Sequence, residues 1–281
     1  MRIFPRAVDH HKPGAPKVPN GLGVIYVITS AIYLFTLNVL EVEGALSLAS
    51  CILFGGVLGL FDDWADLRWR YKVFAPIFAS IPLIALRQGE TVMATYIFGK
   101  VDFGILYYLV IAPAIVTITT NSVNQLGGLN GLETICPLIV MTGLAAVSPE
   151  HRILLLVPII VVGILAVFNF LGRIFVGNVG SFSLGITIAA YAIIANIEQT
   201  LLISIIPYIF NASLINLNYI LWRRRPSLIL CEDGKLTANH RRSLQTLIAH
   251  GRRISERRIV LIIALTFICS SALAIMVGAL S

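Results

Sequence analysis

The sequence predicts an all-α polytopic membrane protein. Of its 281 residues 57% are hydrophobic and only 12% charged, about half the charged share of a soluble domain. The mean hydropathy is +0.88. The apolar residues also gather into windows of about 17–22 residues, the length that crosses a hydrocarbon core of roughly 30 Å. Nine windows are read, at 21–40, 44–61, 73–89, 104–122, 132–148, 153–171, 180–197, 200–221 and 259–279.

The first window follows a polar, Pro-rich stretch, 1–20, without the apolar centre of a cleavable signal peptide. The second ends at Phe61 and runs directly into Asp62 and Asp63. Between the third and fourth, residues 91–103 alternate β-branched and aromatic residues around Gly99 and Lys100, which predicts a short extracytoplasmic β-hairpin. Brief connections, 149–152 and 198–199, separate the fifth window from the sixth and the seventh from the eighth. Before the ninth lies a basic loop, 222–258. Within it, 237–250 is expected to form an amphipathic helix on an anionic leaflet, with Leu236, Leu244, Leu247 and Ile248 apolar and Arg241 and Arg242 polar.

Nine spans divide the connections into two sets. Of the 21 Lys and Arg residues, all but Arg87, Lys100 and Arg152 fall in 1–20, 62–72, 123–131, 172–179 and 222–258. The positive-inside rule makes that set cytoplasmic. The net charge of +7 therefore describes a membrane topology and not a nucleic-acid surface. Cys51, Cys136 and Cys269 lie in apolar runs and Cys231 in a polar loop; with no CxxC pair, neither a thiolate zinc site nor a disulfide framework is indicated. The chain reads as one integral-membrane domain, 1–281, and no internal repeat is visible.

Four cytoplasmic segments carry chemistry. A carboxylate at membrane depth costs roughly 2.5–3.5 kcal/mol on insertion scales, so Asp62 and Asp63 at the end of a span read as functional. Asp66 and Lys72 follow them. In 119–133, Asn121, Asn124 and Asn130 alternate with Gly127, Gly128 and Gly131. Glycines admit close approach to the backbone, free N–H groups hold anions and amide oxygens ligate hard cations. Asn178 stands between Gly177 and Gly180. Arg223, Arg224 and Arg225 supply the forked donors that bind phosphate. Carboxylates and amides suit Mg²⁺, and Lys with Arg suits a diphosphate, which together describe phosphoryl transfer to a lipid.

These segments, in order, resemble the polyprenyl-phosphate N-acetylhexosamine-1-phosphate transferases. The resemblance is carried by DHHKPGAPKVPNGLGV (9–24), LGLFDDWADLRWRYK (58–72), NSVNQLGGLNGLE (121–133), RIFVGNVGS (173–181) and the arginine segment at Arg223. It covers nearly the whole chain. The pattern Gly127-Gly128-Leu129-Asn130-Gly131-Leu132 is similar to the eukaryotic and archaeal branch, the dolichyl-phosphate N-acetylglucosamine-phosphotransferases. The resemblance implies transfer of N-acetylglucosamine-1-phosphate from UDP-N-acetylglucosamine to a polyprenyl phosphate of dolichyl type, releasing UMP. This is the first step of lipid-linked oligosaccharide synthesis for protein N-glycosylation.

It further implies a cytoplasmic active site in a multi-pass protein, with Mg²⁺, or Mn²⁺ in its place, as the metal. Asn124 and Asn178 would ligate the metal, and Lys72 would contact phosphate. Asp62 and Asp63 would orient or deprotonate the lipid phosphate, or hold metal through water. Gly128, Asn130 and Phe175 would form the uracil site. Arg223, Arg224 and Arg225 would frame sugar and diphosphate. The expected partners are the sugar nucleotide, the lipid phosphate, membrane lipid and, as an allowed assembly, a second copy of the chain. Nucleic acid is not among them.

The chain departs from the family at two places. The family has Asp where Asn178 stands. The family's ten-helix fold also begins with a span before the first motif, whereas this sequence reaches that motif almost at once, so the first helix is expected to be missing. Two other functions were weighed: the same reaction with another UDP-N-acetylhexosamine, and an ion-coupled transporter using the acid pair. Carriers place ionisable residues near the midplane of broken, repeated helices; here the acids close a span.

Overall fold

Residues 3–95 and 99–278 are described in the computed structural model of the chain, and prolines open several of its helical segments. Strands β1 (Arg6–Val8) and β2 (Lys17–Pro19) pair antiparallel, followed by helices α1 (Gly23–Val39) and α2 (Ala45–Ala65). The 73–89 window is not one helix. It is divided among α3 (Trp69–Phe74), a 3-10 segment at Ala75–Ser80 and α4 (Ile81–Ala85), with Pro76 and Pro82 opening the last two. Proline has no N–H to give and fits best in the first turn of a helix, although Pro137 is tolerated inside the helix Leu132–Val147. Beyond it, β3 (Val92–Thr95) pairs antiparallel with β4 (Gly99–Asp102).

A π-helical turn, Tyr107–Ile111, leads into α5 (Ala112–Gln125), which has Pro113 in its first turn. Then come α6 (Leu132–Val147), a 3-10 turn at Arg152–Leu155 with α7 (Leu156–Phe170), and α8 (Gly177–Ile194). The 200–221 window divides at Pro207 into α9 (Glu198–Ser204) and α10 (Ile206–Trp222), bent by 61°. The basic loop holds β5 (Ile229–Leu230) paired with β6 (Leu236–Thr237), and α11 (Leu244–Ala249); α12 (Glu256–Gly278) closes the described chain.

Nine regular spans are therefore not what the described residues display. Four helices are long and apolar enough to cross a membrane: Ala45–Ala65, Arg152–Phe170, Gly177–Ile194 and Glu256–Gly278. The bent pair makes a fifth if it is one span, while α1 and α6 are shorter apolar helices. The fold is mostly helical but not purely so, since the N-terminal arm and the basic loop each carry a two-stranded sheet. The amphipathic helix expected over 237–250 is also corrected. Only Leu244–Ala249 is helical, started by the Ser243 cap, and Leu236 is a buried strand residue. The apolar side chains at 236 and 244 are covered by protein rather than lipid.

Helix α8 is the axis of the bundle, with every residue from Val179 to Ile194 buried. Its neighbours reach it through small residues. Glycines 55 and 59 place α2 directly on it: a Cβ at Gly55 would meet Ser183 Cα at 3.1 Å, and one at Gly59 would overlap the Asn178 carbonyl. Gly23 does the same for α1 against Gly180, and Gly185 for α5, where a Cβ would lie 2.7 Å from Thr120 Cα. Small residues spaced by four let helix backbones touch, which is where packing energy in a bilayer comes from. The α2–α8 contact matters most, because it carries Asp63 to the start of α8.

Candidate active site

Asp63 caps α8. Its Oδ1 accepts the Asn178 N–H at 2.9 Å and its Oδ2 the Val179 N–H at 3.1 Å. Those donors have no partner within their own helix, and the helix dipole favours an anion there. The arrangement needs Gly177, which sits at φ +71°; a Cβ on it would come 2.7 Å from Asp63 Oδ2. A carboxylate offers about four acceptor positions, so two donated bonds leave Asp63 able to accept from a ligand.

Asp63 opens into a cavity of about 340 Å³ together with Gly128, Phe175 and Asn178. Residues expected in three different roles thus share one space, while Asp62, Asn124 and Asn130, expected beside them, do not line it. Asn20, Glu133, Asn169 and the stretch Val8–His11 complete it; their part was not foreseen from sequence. The N-terminal arm is brought there by backbone pairing, Phe175 N–H to Pro19 O at 2.8 Å and Leu22 N–H to Phe175 O at 3.1 Å. Asn169 holds the glycine loop, its Oδ1 accepting from Gly131 N–H at 2.9 Å and its Nδ2 donating to Ile174 O at 2.9 Å.

Asn130 is placed elsewhere. Its side-chain amide donates to Asp9 Oδ2 at 2.8 Å and to Glu256 Oε1 at 2.9 Å, and it does not line this cavity. Its backbone N–H also binds Glu256 Oε1, at 2.8 Å. The residue joins the arm and α12 to the glycine loop.

Asp62, one peptide before Asp63, turns the other way. Its side chain is fully buried, ion-paired to Lys72 Nζ at 2.9 Å, and its Oδ1 accepts the Leu67 N–H at 3.1 Å. Its Oδ2 is buried without a hydrogen-bond partner among the described residues. Lys72 also meets the exposed Asp66 at 3.5 Å. Lys72 lines a second cavity of about 550 Å³ with Asn124, Tyr219 and Arg225. Ser181 joins the two spaces: its hydroxyl donates to Asn124 Oδ1 at 2.7 Å and faces the Asn178 carbonyl at 3.4 Å.

Two of the three arginines gather around one ring, that of Tyr219. Arg225 lines the second cavity, its guanidinium 5.7 Å from the centre of the Tyr219 ring. Arg223 lies 5.4 Å from the same ring and borders a separate hollow with Arg68 and Trp69, and Arg224 is exposed. His240 fastens the following turn, its Nε2 accepting from Ser227 N–H at 3.2 Å. Partial burial, then the charge of Arg242, lowers the pKa of His240, which keeps the ring neutral and able to accept.

Among the described residues no group of three or more His, Cys, Asp or Glu forms a metal cage. A Mg²⁺ site does not need one, since that ion takes one or two carboxylates and fills its shell from substrate phosphates and water. The oxygens of Asp63, Asn124 and Asn178, with Ser181 bridging the two asparagines, fit such a sparse donor set, whereas Asp62, buried behind Lys72, lines neither cavity.

Comparison with known proteins bears on this geometry. Residues 45–196, which hold Asp62, Asp63, Lys72, the glycine loop and Asn178, match the model of Glycosyl transferase family 4. Over 214 residues the chain is 33% identical to a Saccharolobus solfataricus protein, covering 72% of this chain and 66% of that one. That protein is provisionally named UDP-N-acetylglucosamine–dolichyl-phosphate N-acetylglucosaminephosphotransferase. A Sulfolobus acidocaldarius protein of the same provisional name is 33% identical over 208 residues, 68% of this chain and 62% of that one. The Dictyostelium discoideum protein named as this phosphotransferase is 30% identical over 260 residues, 73% of this chain and 63% of its own. The chain thus spans 62–66% of the length of these relatives.

Proposed function

This chain belongs to Glycosyl transferase family 4, and we propose from that premise that it transfers N-acetylglucosamine-1-phosphate from UDP-N-acetylglucosamine to a polyprenyl phosphate of dolichyl type, releasing UMP. The observation that carries the proposal is the meeting of Asp63, Gly128, Phe175 and Asn178 in one cavity at the start of α8. A helix N-terminus with a glycine loop beside it suits a nucleotide diphosphate. The names of the relatives agree with this substrate pair.

The donor occupies the Asp63 cavity, with Phe175 stacking on the base and Gly128 admitting it close to the backbone. The acceptor phosphate sits in the second cavity, where Lys72 and Arg225 neutralise it. Its chain follows the adjoining groove between α5 and α10, lined by Val73, Ile118, Ile209 and Ile220. An oxygen of the lipid phosphate attacks the β-phosphorus of the donor, a new P–O bond forms, and the bond to the bridging oxygen breaks as UMP leaves. The acceptor phosphate is already largely ionised near neutral pH, its second pKa being about 6, so it needs positioning more than deprotonation: Asp62 acts on it through Lys72, while Asp63 faces the donor. Asp63, Asn124 and Asn178 would hold Mg²⁺, which when bound spreads charge on the diphosphate oxygens. The basic loops on this face support a cytoplasmic location for the reaction.

The test is UMP release from purified protein given Mg²⁺, polyprenyl phosphate and either UDP-N-acetylglucosamine or UDP-N-acetylgalactosamine. Release with the first donor supports the proposal. Release with the second alone moves the sugar specificity. No release with either, from protein that binds UMP, overturns it.

A further inference from the structure

Helix α11 has too few residues to persist alone, yet it is bonded into the protein throughout. Ser243 and Thr246 cap it reciprocally, and the Leu244 N–H donates to Asn211 Oδ1 on α10 at 2.9 Å. The same Asn211 donates through Nδ2 to the Gln125 carbonyl at 3.3 Å. Gln245, the second residue of α11, donates through Nε2 to Leu126 O at 2.9 Å and Gly127 O at 2.8 Å. One primary amide has two hydrogens and can make both bonds.

Three consecutive carbonyls at the end of α5, those of Gln125, Leu126 and Gly127, are thereby held by two side-chain amides from α10 and α11. Carbonyls leaving a helix have no partner of their own, so a clamp on them decides the path of the chain beyond. On one side of the clamp is Asn124, bound to Ser181. On the other is Gly128, at φ +103° and facing the donor cavity. The segment that bears the clamp also reaches the arginine loop, through Arg242 Nη1 to Arg225 O at 3.2 Å.

We infer that Gln245 is a positioning residue for the uridine nucleotide: by holding the Leu126 and Gly127 carbonyls it sets how Gly128 meets the donor. The inference rests on the transferase reading for its ligand, and on the structure alone for its effect on the loop. It predicts a donor-side defect, because the two residues Gln245 holds, Leu126 and Gly127, lead to Gly128 in the donor cavity and line neither the Lys72 cavity nor the α5–α10 groove.

The experiment uses the full chain in lipid nanodiscs, with UMP binding, steady-state kinetics and amide exchange over 126–131 as readouts. Gln245→Met keeps length without a donor; Gln245→Lys keeps a donor. The Met variant should bind UMP about tenfold more weakly, raise the KM for the sugar nucleotide but not for polyprenyl phosphate, and exchange faster across 126–131. The Lys variant should recover most of each. Unchanged UMP affinity or unchanged exchange in Gln245→Met overturns the inference, as does a Lys variant no better than Met. If the Met variant does not fold, the isosteric Gln245→Glu is read by the same criteria. Failure of the transferase reading shows separately, as native protein that binds no uridine nucleotide, and it removes the nucleotide part of the inference.

Discussion

Asp62 and Asp63 are the same residue one peptide apart, and the two sides of α2 use them differently. Asp63 faces α8, caps it and opens to the cavity proposed for the donor. Asp62 is buried behind Lys72, which faces the second cavity. Neighbouring positions on a helix never share a face, so an acid pair at a helix end is two devices. One sets the position of a helix terminus, and the other sets the position of a cation. In the proposed reaction they serve opposite substrates, and that contrast can be broken experimentally.

The largest effect belongs to Asp63. Asp63→Ala should lower the rate of UMP release about 10²–10³-fold, the loss typical of removing one preorganised group from a reaction site. It should also cost about 1 kcal/mol in stability through the lost cap. Asp62→Ala should act mainly on the acceptor, raising the KM for polyprenyl phosphate because Lys72 loses its anchor. Indistinguishable kinetics in the two variants would dissolve the contrast.

Next in size is Lys72. Lys72→Met leaves the buried Asp62 carboxylate unpaired, and breaking a buried pair from one side costs about 3–5 kcal/mol. The low end applies, since Lys72 is partly wet. Adding Asp62→Asn should return most of that stability without returning turnover. A denaturation cycle over the single and double variants, showing no coupling between the two positions, would mean that the ion pair does not fix Lys72.

What could be read in advance follows from the range of the forces involved. The acid pair at the end of a span, the glycine loop and the Asn178 turn are local patterns, and all were visible. So were the windows that became α2, α6, α8 and α12, whose apolar runs continue through most of each helix. Windows 73–89 and 200–221 are interrupted rather than continuous helices because Pro76, Pro82 and Pro207 outweigh hydropathy, a signal already present in the sequence. The spacing Gly55-x-x-x-Gly59 likewise announced a close helix contact. No local pattern shows that Asn130 binds Asp9 and Glu256, or that Gln245 holds the end of α5. Those bonds span more than a hundred residues and exist only once the helices have packed.

Gly59 tests the packing that delivers Asp63. Gly59→Ala places a methyl group against the Asn178 carbonyl and Val179 Cα, backbone atoms that cannot turn aside. Overpacking of this kind costs about 1–3 kcal/mol, and here it pushes α2 off α8, so the Asp63 cap should weaken with it. Gly163→Ala is the control, because nothing lies within 4 Å of its Cβ; it should be neutral or gain up to about 1 kcal/mol. Equal thermal stability of the two variants would show that α2 need not touch α8 for the site to form.

The smallest effect, and the one that sharpens the contrast most, is expected at Asn178. Its N–H already donates to Asp63, and its side chain lines the donor cavity. Asn178→Asp adds a charge in the first turn of α8, where the helix dipole favours it by about 0.3–1 kcal/mol, while repulsion from Asp63 opposes it. Stability should therefore move by less than about 0.5 kcal/mol. Metal binding responds to the summed charge of the ligands, so the Mg²⁺ concentration for half-maximal turnover should fall severalfold. Identical Mg²⁺ titrations of the two forms would remove Asn178 from the metal site. The double variant Asp63→Asn, Asn178→Asp has one carboxylate, as the native pair does, but it has moved from α2 to α8. It should regain Mg²⁺ affinity and remain slow, because a carboxylate on α8 cannot tie α2 to the helix end that Asp63 caps.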